Sequence, residues 1–311
     1  MPRTPTPVIG SSLAEHRAGL QRLGVEGGEV AYLDTGPAQA EPVLLLHGIP
    51  TSSWLYRRIA ARLATGGLRA IAPDLLGFGA SDKPTGRDLY SARHQSERLI
   101  ALLDHLELTQ ATLVVHDAGG PWGFEILQRH PDRVAGLVVL NTTAYADAFT
   151  PPREMRALGG PLGPLMLRLM RSRLGKTMVH KMLADLTHTG KTLDRAATEP
   201  HWQALREGGT TALRAFAQDL EPFTAHFSQY AEALRRADIP ASLIWGTHDP
   251  VLHADRLVPR FTEDLGLDPS DIHLLNRASH FLQEDRPDDI ADLISHFVQQ
   301  QVTPRRHASS T

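Results

Sequence analysis

Residues 112–123, TLVVHDAGGPWG, hold the turn on which the fold is decided. Thr112, Leu113, Val114 and Val115 form a short apolar, largely β-branched run, the composition of a strand buried on both faces. Gly119 and Gly120 follow and open a helix. A strand that turns this sharply into a helix needs small residues just beyond its tip, so that the backbone can close on its neighbours. The residue displayed at the tip is then set up for chemistry, and here it is Asp117. An Asp in front of a helix can also serve as its N-cap. What separates the two readings is whether other strand ends supply partners.

The pattern on either side is repetitive. Apolar runs at 28–35, 42–46, 69–72, 136–140, 241–246 and 271–275 read as strands. Helical spacing appears at 52–64, 94–106 and 288–299, and Gly77, Gly79 and Pro84 mark a long loop. Short apolar strands alternating with helices imply an α/β fold: a mostly parallel, doubly wound sheet covered on both faces. Between 145 and 230 the strand pattern stops and Met- and Leu-rich helical segments replace it. The expected organisation is a core of residues 1–144 and 231–298, an inserted helical cap at 145–230, and a disordered polar tail at 299–311. The length of 311 residues suits one core with an insertion.

Bulk properties exclude several functions. The net charge of −3, without a long basic run, gives nucleic-acid binding no electrostatic basis. With 0 cysteines there is no disulfide, thiolate metal site or Cys nucleophile. Neither a phosphate-binding loop nor an H-E-x-x-H motif occurs. Residues 1–10 are rich in Pro and Thr and lack the apolar region of a secretory signal. No stretch approaches a membrane span, so a cytoplasmic enzyme with no cofactor, no metal and no membrane or nucleic-acid partner is expected.

In a doubly wound sheet, ligands sit beyond the carboxyl ends of the strands. Four such ends carry His47-Gly48-Ile49-Pro50, His116-Asp117-Ala118, Thr247-His248-Asp249-Pro250 and Ala278-Ser279-His280-Phe281. Asp117, Asp249 and His280 follow in the order nucleophile, acid, histidine. His280 is the candidate general base and Asp249 the group that orients it. Asp249-Pro250 also reads as a simple turn, and Asp147 is a weaker candidate for the acid. The backbone N–H groups of Ile49 and Ala118 are the candidate oxyanion hole. Trp54, Tyr56 and Trp122 read as packing residues.

HGIPTSSWLYR at 47–57, IAPDLLGFGASDKP at 71–84 and VVHDAGGPWG at 114–123 resemble the haloalkane dehalogenase and epoxide hydrolase branch of the α/β-hydrolases. The resemblance covers most of the chain outside the cap, and PTSSWLYR and GFGASDKP look closer to the dehalogenases. It implies a nucleophilic Asp at 117 and a late acid at 249. One departure stands out. Dehalogenases usually carry Trp directly after the nucleophile as a halide donor, and many have Asn at the place of Ile49, whereas this chain has Ala118 and Ile49. Trp202 is the candidate replacement donor. Epoxide hydrolases resemble one another in using two cap tyrosines to protonate the epoxide, and Tyr145 and Tyr230 are the candidates here. Phe149 is expected to line an apolar pocket.

A carboxylate nucleophile suits attack at an sp³ carbon, because the resulting ester is cleavable by water where the ether left by serine is not. The expected substrate is a small apolar organic molecule, with water as co-substrate. The leading reading is dehalogenase-like hydrolysis, and the alternatives are epoxide hydrolysis or an α/β-hydrolase of other specificity. A non-catalytic ligand-binding protein would be expected to lack the acid or the base, and both are present. The sequence leaves the oligomeric state open.

Overall fold

The computed structural model describes residues 12–188 and 195–309, so the N-terminal segment 1–10 lies outside the described residues. The strands are β1 (Gln21–Val25), β2 (Gly28–Thr35), β3 (Pro42–Leu46), β4 (Arg69–Asp74), β5 (Ala111–His116), β6 (Val134–Leu140), β7 (Ala241–Gly246) and β8 (Ile272–Leu275). They form one sheet in the order β1-β2-β4-β3-β5-β6-β7-β8. β2 pairs antiparallel with β1 and β4, and every other pairing is parallel. From β3 the chain runs outward to β4, then crosses back to β5 on the other side of β3. That reversal is a topological switch point, and it opens a crevice at the carboxyl ends of β3 and β5. Gly48-Ile49 and Asp117 sit there.

Helices α1 (Leu13–Ala18), α2 (Arg57–Thr65), α3 (Ala92–His105) and α4 (Gly119–Arg129) precede β6. Strand residues alternate between two cores. Val43, Leu45, Val114 and Val138 face Ile59 and Leu63 of α2. Leu44, Leu46, Leu113 and Val115 face Leu99 and Leu103 of α3 and Ile126 of α4. Each fully buried aliphatic side chain of this kind contributes roughly 1.5–3 kcal/mol relative to exposure.

Among the described residues between β6 and β7 there is no strand. The helices there are α5 (Arg153–Gly159), α6 (Gly163–Met170), α7 (Arg173–Asp185), α8 (Arg195–Ala204), α9 (Thr210–Gln218), α10 (Leu220–Ala225) and α11 (Phe227–Arg236). The Trp54 indole donates to the Ala197 carbonyl at 3.1 Å and pins this helical segment to the loop after β3. After β7 come α12 (Ala254–Leu265), α13 (Leu282–Asp285), α14 (Pro287–Phe297) and α15 (Thr303–Ser309).

The tail differs from expectation. Residues 298–309 are helical: a π-turn at Val298–Val302 leads into α15. The cause is long-range packing. Val298 and Val302, four residues apart, bury one face, and Val302 sits where a Cβ on Gly136 would come within 2.7 Å of it. A polar composition hid a segment with two apolar anchors.

Candidate active site

Asp117 adopts φ of +51°, in the left-handed region that L-residues rarely enter. The turn closes because its neighbours lack side chains. A Cβ on Gly119 would stand 2.5 Å from the Leu46 carbonyl, and one on Gly120 1.9 Å from Thr142 Oγ1. Thr142 Oγ1 donates to the Asp117 carbonyl at 2.6 Å, and the Asp117 N–H donates to the Asn141 carbonyl at 3.0 Å. Strain of this sort persists only where surroundings over-determine it. The capping alternative fails on geometry. Ala118 occupies the N-cap of α4 with no side-chain cap bond, and the Asp117 carboxylate accepts the Ile49 N–H from the loop after β3.

That carboxylate meets the other strand ends. Its Oδ1 accepts the Ile49 N–H at 2.8 Å, and the Ala118 N–H is a second backbone donor. Its Oδ2 lies 3.5 Å from His280 Nε2. His280 Nδ1 lies 2.8 Å from Asp249 Oδ2. Asp249 Oδ1 accepts the Val251 and Leu252 N–H groups at 2.8 and 2.9 Å. One oxygen of Asp249 thus closes the turn at Asp249-Pro250 and the other faces the His280 ring. Asp147 lies elsewhere, paired with Arg260 at 2.6 Å on the surface.

The charges are strongly coupled. Burial opposes ionisation of both carboxylates, yet His280 and backbone donors hold Asp117 and Asp249 below the usual range. Burial likewise opposes charge on His280, but Asp249 and Asp117 override it and push the imidazole up to about 10. In this state the ring is an imidazolium between two carboxylates.

Above the three residues is a cavity of about 520 Å³, lined by Ile49, Asp117, Ala118 and His280 below and by helices α5, α7, α9 and α10 above. Four of the six methionines, Met155, Met170, Met178 and Met182, and four phenylalanines, Phe149, Phe216, Phe223 and Phe227, line it. Trp202, Tyr145 and Tyr230 are not among the lining residues. The Trp202 indole donates to the Met170 carbonyl at 3.0 Å, and its ring is flanked by Lys176 and Arg206. The Tyr145 hydroxyl donates to Asp264 at 3.0 Å and that of Tyr230 to Glu125 at 2.9 Å. Burial and those carboxylates raise both phenols, so both hydroxyls stay protonated and turned away from the pocket.

The alpha/beta hydrolase fold family matches residues 41–287. The chain belongs to that family. A haloalkane dehalogenase of Mycolicibacterium paratuberculosis is 34% identical over 274 residues, covering 85% of each chain. Epoxide hydrolase 3 of Xenopus tropicalis is 27% identical over 318 aligned positions, covering 98% of this chain and 84% of the relative. Among solved structures, the tetrameric haloalkane dehalogenase DpaA of Paraglaciecola agarilytica superposes with a TM-score of 0.69 at 24% identity, over 88% of this chain and 90% of that one. These similarities put this α/β-hydrolase in the dehalogenase and epoxide hydrolase branch and make it a hydrolase.

Two residues of this α/β-hydrolase site escaped sequence reasoning. Asn141, directly after β6, donates to Asp249 Oδ2 at 2.8 Å and accepts the Gly246 N–H at 2.7 Å, so it ties the Asp249 carboxylate to the end of β7. A polar residue ending the run GLVVLN was the available signal. His116 directly precedes Asp117, its Nε2 donating to the His280 carbonyl at 2.8 Å. Burial and the neighbouring His280 lower it to about 4, so it is neutral.

The other motif residues hold loops. His47 Nε2 accepts the Leu75 N–H at 3.0 Å, so Nδ1 carries the proton and donates to the Gly48 carbonyl at 2.7 Å. Asp74 accepts the Ser53 and Ala80 N–H groups at 2.7 and 2.6 Å, joining the 47–57 and 71–84 motifs beside the crevice.

Proposed function

We propose that this hydrolase acts through an ester formed on Asp117, with a carbon–halogen bond of a small apolar molecule as the bond cleaved. The observation that carries the reading is the carboxylate on the elbow, held by the Ile49 N–H at 2.8 Å and facing an apolar cavity. Asp117 Oδ2 attacks an sp³ carbon, the carbon–halogen pair leaves with the halide, and an alkyl ester remains. His280 then takes a proton from water, whose oxygen adds to the ester carbonyl of Asp117. The Ile49 N–H already holds Oδ1, the oxygen on which the negative charge of the tetrahedral intermediate develops, and the Ala118 N–H is the second backbone donor to this carboxylate. Collapse releases the alcohol and regenerates the carboxylate. Asp249, fixed by Asn141, Val251 and Leu252, orients the imidazole and balances its charge. In this reading residues 145–230 act as a cap over the core formed by 1–144 and 231–298.

Epoxide opening is the weaker reading, because the alkoxide it generates needs a proton donor and Tyr145 and Tyr230 both point elsewhere. A halide needs no proton. Among the described residues no indole lines the cavity, so the reading favours leaving groups whose charge is diffuse. The test is halide release from 1-bromo- and 1-iodoalkanes, with Asp117→Ala inactive. Single turnover in heavy-oxygen water is expected to label the Asp117 peptide. Turnover without label in that peptide rejects the ester, and diol formation from styrene oxide without halide release selects the epoxide reading.

A further inference from the structure

Helices α6 and α7, packed against each other in the helical segment, each bury one apolar face. On α6 that face holds Leu167 and Met170, and on α7 Val179 and Leu183. Both helices carry a second apolar face that nothing in the described residues covers. Leu162, Leu165 and Leu169 form a stripe at helical spacing with exposures of 68, 67 and 48%. Leu174 and Met178, one turn apart on α7, continue it at 80 and 47%. Isolated exposed leucines are ordinary, but five large apolar side chains on two adjacent helices are not.

The charge around this stripe is one-sided. Residues 155–184 contain six Lys and Arg and no Asp or Glu, in a chain whose net charge is −3. Lys176 pairs with Glu199 and Lys181 with Asp185. Arg168, Arg171 and Arg173 are exposed, and none makes an ion pair with a described residue. Apolar side chains flanked by cations are the signature of a helix lying in the interface of an anionic bilayer. A second copy of this chain fits poorly, because a two-fold contact would set the same cationic surface against itself. The pocket opens on this side: Met178, Lys181 and Asp185 are both exposed and part of the cavity lining.

We propose that the α6–α7 face docks on an anionic lipid surface and seats the mouth of the pocket against it. No helix among the described residues is long and apolar enough to cross a membrane, so the association is peripheral. That an apolar substrate enters from the lipid rests on the proposed function. The docking itself does not.

The experiment is flotation of the full chain with vesicles of phosphatidylglycerol and phosphatidylcholine, with vesicles of phosphatidylcholine alone as comparison. Binding is expected on the mixed vesicles at low salt, with loss in 1 M salt as screening removes the charge attraction. Arg168→Gln, Arg171→Gln and Arg173→Gln are each expected to weaken it about fivefold. Leu165→Ser with Leu174→Ser is expected to weaken it about tenfold or more while leaving the melting temperature and turnover of a water-soluble substrate unchanged. Asp117→Asn is expected to bind vesicles as the parent does, so a failure of the ester mechanism is read separately. The proposal falls if the chain stays with the buffer, if it binds neutral vesicles equally well, if the substituted chains float like the parent, or if light scattering shows a dimer that Leu165→Ser with Leu174→Ser splits.

Discussion

If Asp117 is esterified during turnover, the charge beside His280 disappears, and the basicity of the imidazole must change with it. Asp117 Oδ2 lies 3.5 Å from His280 Nε2. At an effective dielectric constant of about 20, unit charges at that separation attract by about 5 kcal/mol, which is about 3.5 pK units. The free enzyme holds His280 at about 10, so neutralising Asp117 should bring it to roughly 6 to 7. The histidine is thus an imidazolium while the carboxylate attacks and a free base at neutral pH once the ester exists. Asp117→Asn mimics the neutral ester. Titration of carbon-13-labelled histidine, with His280 assigned by comparison with His280→Gln, should show its pKa falling by about 3.5 units in Asp117→Asn. Rapid-mixing kinetics supply the second measurement. Leaving-group release should be flat between about pH 6 and 9, because Asp117 is held below the usual carboxylate range and stays ionised. Ester hydrolysis should instead fall about tenfold per pH unit below about 6. A His280 that stays near 10 in Asp117→Asn, or an ester whose hydrolysis is insensitive to pH between 5 and 8, refutes the reasoning.

Asn141→Ala leaves the Gly246 N–H unpaired and removes one donor from Asp249. We expect a loss of about 1–3 kcal/mol in urea unfolding and a slower ester hydrolysis, and parent-like values for both would place Asn141 outside the machinery. Gly48→Ala puts a Cβ about 2.2 Å from Asp117 Oδ1. Displacing the nucleophile should cut kcat about 100-fold while the melting temperature moves little, and an active Gly48→Ala chain would show that the carboxylate has room to shift. His16, His47, His116 and His201 are all lowered by burial, His116 to about 4 and His201 to about 3. Below about pH 6.5 the unfolded chain binds protons that the folded chain refuses, so stability should fall as pH drops toward 4, by as much as about 5 kcal/mol per unit where all four contribute. Urea midpoints that stay constant from pH 7 to 5 would contradict this.

The residues that were legible in the sequence share a property. Asp117, Asp249, His280, Ile49 and Ala118 each lie within five residues of the carboxyl end of a strand, so the sheet largely sets where their backbones go. Their convergence needs only the switch point between β3 and β5. β1 stayed hidden because only Leu23 and Val25 of its five residues are even half-buried, so a short edge strand carried little hydrophobic signal. Tyr145, Tyr230 and Trp202 were misread for a different reason. They sit on or beside helical elements, where side-chain direction depends on helix rotation, and that rotation is set by partners distant in sequence. Asp264 lies 119 positions from Tyr145, and Glu125 lies 105 from Tyr230. Each carboxylate draws a hydroxyl out of reach of the cavity, because a buried phenol without a partner costs more than one paired at a distance from the chemistry.

The same distinction bears on what the pocket recognises. Strand ends place Asp117, His280 and Asp249, whereas the wall opposite them comes from α5, α7, α9 and α10 and offers mostly thioether and phenyl groups. Such a wall discriminates by shape and volume, and one methylene more or less is worth only about 1–3 kcal/mol in an apolar site. Methionine side chains, unbranched and adaptable, weaken even that discrimination. A broad range of apolar chain lengths therefore follows from the same composition that, in the proposed reaction, offers the departing group no indole donor among the described residues. Selectivity should reside in the bond broken: substrates differing in leaving group should separate in rate far more than substrates differing in chain length.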